Sequence, residues 1–122
     1  MNVGRTVVET PVAEKIAALT ALDTPGVIRL EPSISALAAS LSRRALSGWR
    51  GPGRDGLPPT AGVRAEISGD DVSVEIALAV ELGRPVPDVA AAAQRRVADA
   101  LTELGGFAKA AVEILVVDVD HI

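Results

Sequence analysis

Apolar and polar residues repeat with two different periods along this chain, and the periods divide it into elements. From Val72 to Val80 the period is two: Val72, Val74, Ile76, Leu78 and Val80 fall on one side, and Ser73, Glu75, Ala77 and Ala79 on the other. Successive side chains of a strand point to opposite faces, so the run predicts a strand with one buried face. Val63, Ala65 and Ile67 show the same alternation ahead of the turn Gly69-Asp70-Asp71, which predicts an antiparallel hairpin. From Val86 to Leu104 the spacing changes to three and four. Val86, Val89, Ala90, Ala93, Val97, Ala100, Leu101 and Leu104 then form one helical stripe, with Asp88, Gln94, Arg95, Arg96, Asp99, Thr102 and Glu103 off it. Pro87 suits the first helical turn and Gly105-Gly106 ends the helix without steric cost. Val112, Ile114 and Val116 predict a last strand within 111–119.

The first half of the chain carries weaker patterns. Thr6–Glu9 is a short β-leaning run. Thr10-Pro11 resembles a helix start, with Thr10 as cap, and Val12, Ile16 and Leu19 predict its buried face. Thr24-Pro25-Gly26 turns the chain into a short strand, Val27–Leu30. Ser33 can cap a second helix over Ile34–Leu46, where Ile34, Leu37, Ala38, Leu41 and Ala45 share a face. Between Gly48 and Gly62 lie five glycines and three prolines in fifteen residues, a composition that predicts a flexible loop.

The predicted order is β-α-β-α-β-β-α-β. Each strand offers one apolar face and each helix one apolar stripe. They combine into an α+β domain of two layers, with helices packed on one face of a mainly antiparallel β-sheet. A chain of 122 residues supplies one such domain, spanning 1–122. The core must be aliphatic, because 48% of the residues are hydrophobic and only 2% aromatic.

Composition narrows the chemistry. A net charge of −4 argues against general nucleic-acid binding, which rests on a basic field. With no cysteine there is no disulfide, thiolate metal site or cysteine nucleophile. The N-terminal residues lack the apolar stretch of a signal peptide, and no run approaches the length that spans a bilayer, so the sequence reads as a cytoplasmic chain.

No catalytic, cofactor-binding or metal-binding constellation emerges. Gly51-Pro52-Gly53-Arg54-Asp55-Gly56 matches G-x-G-x-x-G literally, but a dinucleotide fingerprint needs a strand before it and a helix after it. Asp118, Asp120 and His121 read as a polar tail after an apolar strand rather than as metal ligands, since His121 is the only histidine. Asp70 and Asp71 suit a turn, and no serine sits in a G-x-S-x-G elbow. One polar cluster stands out: Arg43, Arg44, Arg50 and Arg54 form a basic segment around the only tryptophan, Trp49. These five residues are the candidate contact surface for a partner or an anionic surface, because Trp suits wet–apolar boundaries and Arg suits anionic groups.

The segment from Gly62-Val63-Arg64-Ala65-Glu66 through Val72-Ser73-Val74-Glu75-Ile76 to Gly83, Val86-Pro87-Asp88-Val89-Ala90 and Gln94-Arg95-Arg96-Val97 resembles the alkaline shock protein family. Val112-Glu113-Ile114 continues the pattern, and the N-terminal half agrees in outline at Gly4, Val12-Ala13, Lys15-Ile16-Ala17 and Pro25-Gly26-Val27. The resemblance implies a non-enzymatic cytoplasmic protein of the bacterial cell-envelope stress response, with no catalytic residues and no cofactor. It also implies self-association, or a membrane-anchored protein partner that holds the chain at the inner face of the membrane. The 48–60 loop is longer and richer in Gly and Pro than that pattern. A different class of function is nucleic-acid or anionic-surface binding through Arg43, Arg44, Arg50 and Arg54, which predicts steep salt dependence.

Overall fold

The structure, a computed structural model, describes residues 7–32 and 61–122. The predicted helix over 34–46, the G-x-G-x-x-G stretch and nearly all of the Gly/Pro-rich loop lie outside the described residues. In chain order the elements are α1 (Thr10–Leu22), β1 (Val27–Leu30), β2 (Val63–Ser68), β3 (Asp71–Glu81), α2 (Val86–Glu103) and β4 (Lys109–Asp120). They follow the predicted order and the α+β class. Val7–Glu9, the described part of the first predicted strand, joins no ladder and leads directly into α1.

The long alternating strand β3 is the axis of the sheet. One of its edges pairs antiparallel with β2, from Ser68↔Asp71 to Val63↔Ile76, around a two-residue loop that opens on Gly69 at φ +61°. Further along the same edge β1 takes over, also antiparallel, with Leu30↔Leu78 and Val27↔Val80. The two short strands meet at Ala77. Its carbonyl accepts from the Glu31 N–H at 2.9 Å, and its N–H donates to the Gly62 carbonyl at 2.8 Å. The chain therefore leaves the sheet after Glu31 and re-enters it at Gly62 at the same place.

The other edge of β3 pairs with β4, and that pairing is parallel, from Asp71↔Lys109 to Glu81↔Asp120. A parallel neighbour requires a crossover, and α2 supplies it. Between Leu78↔Val116 and Ala79↔Asp118 the register skips Val117, which bulges out of β4.

Both helices lie on the sheet face that carries Val72, Val74, Ile76, Leu78 and Val80. The core joins these side chains to Val63 and Ala65 of β2, Val112 of β4, and Val89, Ala93, Val97 and Leu101 of α2. Each large side chain buried there contributes about 1.5–3 kcal/mol. Phe107, which no periodicity had marked, closes the end of the core beneath Gly105-Gly106. Leu104, predicted on the buried stripe, is 76% exposed, because the helix ends at Glu103 and the chain turns away.

The face that α1 buries also differs from prediction. Ala13, Ala17, Ala18 and Ala21 are buried, together with Glu14, while Val12, Leu19 and Leu22 are exposed and Ile16 is half-buried. Alanines let α1 lie close to α2 and β2, and Glu14 Oε2 accepts a hydrogen bond from the Ala65 N–H at 3.1 Å. Thr10 is the first residue of the helix and makes no cap; Glu9 occupies the cap position without a side-chain hydrogen bond. On β3, Ala77 and Ala79 point away from the helices, as the alternation predicts, yet both are buried outside the core cluster.

Candidate functional site

The five residues singled out in the sequence, Arg43, Arg44, Trp49, Arg50 and Arg54, lie outside the described residues. Asp118 and Asp120 are described, and they form ion pairs. Arg29 of β1 reaches Asp118 at 3.1 Å and Asp120 at 3.5 Å across the sheet face opposite the helices, and Glu31 at 3.5 Å. All of these groups are partly solvated, so the cluster is a surface tie between β1 and β4 of small energetic weight. Among the described residues no group of three or more His, Cys, Asp or Glu is placed to hold a metal ion.

The polar face of α2 is likewise given to structure. Arg96 pairs with Asp23 just beyond α1 at 2.9 Å, tying the two helices together at the surface. Gln94 turns toward the sheet and donates from Nε2 to the main-chain carbonyl of Val112 at 2.7 Å.

Two further surfaces stand out among the described residues. The first is the outward face of α1. Val12, Leu19 and Leu22 are exposed along it, Leu19 to 59%, and Ile16 stands between them half-buried against the core. Three exposed aliphatic side chains linked through half-buried Ile16 form a stripe rather than scattered exposure, and such stripes mark contact surfaces. The second is a groove of about 480 Å³ between the first half of α2 and the outer edge of β4. Its walls are Pro87, Ala90, Ala91 and Gln94 on the helix side, and Val112, Glu113 and Ile114 on the strand side. Ala90 and Ala91 open the groove by being small. Among the described residues no strand pairs with that outer edge of β4.

The open sheet face beside β4 is charged. Glu75 of β3 is in register with Glu113 of β4 on one side and with Arg64 of β2 on the other. With Glu66 and Ser73 these residues line a shallow depression of about 220 Å³.

Residue types alone could not have found these surfaces. Alanine, valine and proline carry no chemical signal, and the groove is assembled from two segments about twenty residues apart in sequence. The α1 stripe was visible as a periodicity but was assigned to the core.

No helix among the described residues is long and apolar enough to cross a membrane. Residues 1–121 match the Asp23 family, described as having a cell envelope-related function. This is the family that the hairpin and α2 resemble in sequence. No curated protein matched the chain, and no solved structure matched it.

Proposed function

The chain belongs to the Asp23 family, with its cell envelope-related function, and we propose that it serves that function as a non-enzymatic interaction module. In this reading it is cytoplasmic, associates with itself or with a membrane-anchored protein, and through that partner sits at the inner face of the membrane. The observation that supports the reading is the exposed stripe Val12, Leu19 and Leu22 on the outer face of α1, joined by half-buried Ile16. A helix whose alanine side is buried has no folding reason to place aliphatic side chains on its solvent side. Each exposed leucine there is available to stabilise a contact by burial, at about 25 cal/mol per Å² of apolar surface covered.

The test is a pair of measurements on the full chain and on Leu19→Glu. Sedimentation velocity over a concentration series reads self-association, and flotation with native membranes reads partner capture. The wild-type chain is expected to associate in at least one assay, and the variant to lose that association while keeping its melting temperature. A wild-type chain that stays monomeric at high concentration and stays out of the membrane fraction overturns the reading.

A further inference from the structure

We propose that the groove between α2 and β4 is a strand-addition site for an extended polypeptide segment that carries a basic residue flanked by small aliphatic ones. The proposal rests on the reading of the chain as an interaction module and names the kind of partner one of its surfaces takes. Three observations support it.

The first is main-chain polarity. Ala77 directs both its main-chain groups to the β1–β2 edge of β3, so the even-numbered residues of β3 direct theirs to β4. In the parallel register Val74↔Val112 this turns Ala110, Val112 and Ile114 outward, to the free edge. The Gln94 contact agrees with that orientation, since its side-chain amide donates to the Val112 carbonyl from outside the sheet. Gln94 thus makes the hydrogen bond that the N–H of an added strand would make. A helix side chain occupying one position of an open edge is a placeholder that a peptide can displace without leaving a carbonyl unpaired.

The second is shape. On the helix side of the edge, Pro87, Ala90 and Ala91 leave the groove beside Ile114. Every second side chain of an added strand would enter it. Small aliphatic side chains fit there, because Pro87, Ala90, Ala91 and Ile114 make that side of the groove apolar and leave little depth.

The third is charge. The remaining side chains of an added strand would lie on the open face beside Glu113. That carboxylate has another carboxylate, Glu75, in register on its inner side, and no described cation pairs with it. Like charges facing each other across a sheet are unfavourable, and a lysine or arginine on the outer side relieves them. Complementarity therefore selects a basic residue at the position beside Glu113, whose neighbours on that face, Ala111 and Leu115, are uncharged.

The probe is a short peptide alternating lysine and valine with blocked termini, read by amide chemical shifts and by fluorescence anisotropy on the full chain. Binding is expected to perturb the amides of Ala110, Val112 and Ile114. It should weaken at least about tenfold when the peptide nitrogens are methylated on one edge, which removes main-chain pairing. Ala91→Trp, which fills the groove from an exposed helix position, should weaken it similarly while circular dichroism stays unchanged. Glu113→Lys should reverse the preference toward a peptide alternating glutamate and valine. Equal binding by the methylated peptide, equal binding by Ala91→Trp, or no binding at all overturns the proposal. So does a peptide-free dimer that Ala91→Trp dissolves, since the occupant is then a second copy of this chain. If the peptide fails while Leu19→Glu still abolishes association, the groove assignment falls and the interaction-module reading stands. If the peptide binds while the wild-type chain shows no association, the groove assignment stands and the reading through self-association or a membrane-anchored partner falls.

Discussion

Gly62 carries a hydrogen where any other residue would carry a β-carbon, and the meeting of β1 with β2 depends on it. Its φ is +96°, and a β-carbon there would lie 2.9 Å from the Glu31 carbonyl oxygen and 3.2 Å from that of Ala77. Both neighbours are backbone within a paired sheet, so neither can move aside. Gly69 also has a positive φ, +61°, but its β-carbon would meet open space. Gly62→Ala therefore combines a backbone penalty with a steric one and should cost about 1–3 kcal/mol, more than Gly69→Ala. Urea unfolding of the two variants checks the order, and equal midpoints would refute it. Glu14 illustrates a different constraint. Its carboxylate is buried beside α1's alanines because it accepts the Ala65 N–H, and a buried donor left without an acceptor costs about 1–3 kcal/mol.

At the scale of elements, β3 and α2 were legible because their periods are long and their apolar residues large. Five aliphatic residues alternate in β3, and the buried residues of α2 (Val89, Ala93, Val97 and Leu101) lie on its predicted stripe. The face that α1 buries departs from its strongest periodicity for a physical reason. Alanine adds little apolar area, so Val12, Ile16 and Leu19 dominated the periodicity, although close helix packing favours the small side chains. Leu104 was misassigned because periodicity does not say at which turn a helix stops covering the sheet. The two leucines at the end of α2 separate these cases. Leu101→Asp places an unpaired charge in the centre of the core and should abolish cooperative folding. Leu104→Asp should change stability by no more than about 0.5 kcal/mol, since that side chain is already in water. Thermal melts of both variants check the pair, and similar behaviour of the two would contradict the placement of the core.

For the molecule as a whole, the sequence disclosed which residues face inward but not which strands are neighbours. Alternation in β4 identifies Val112 and Ile114 as core-facing whether β4 lies parallel or antiparallel to β3. The parallel pairing follows from the crossover through α2, and it creates the groove by setting that helix against the outer edge of β4. Long-range placement of this kind leaves no local mark, so neither the α2–β4 groove nor the facing pair Glu75 and Glu113 could be foreseen. The shared edge of β3 has a consequence for the chain's tolerance of length. Glu31 and Gly62 are fastened to one residue, Ala77, so the sheet already holds together the two ends of the segment between them. For a featureless chain, closure entropy grows only with the logarithm of length, and doubling the loop costs about 0.6 kcal/mol. Inserting Gly/Ser repeats between Gly53 and Arg54 until that stretch is twice as long should lower stability by no more than about this amount. A cooperative urea transition with a nearly unchanged midpoint would bear this out, and loss of the transition would refute it. The register of the sheet is thus independent of how much chain is stored at that point, and the stretch can lengthen or shorten by mutation while the framework keeps its geometry.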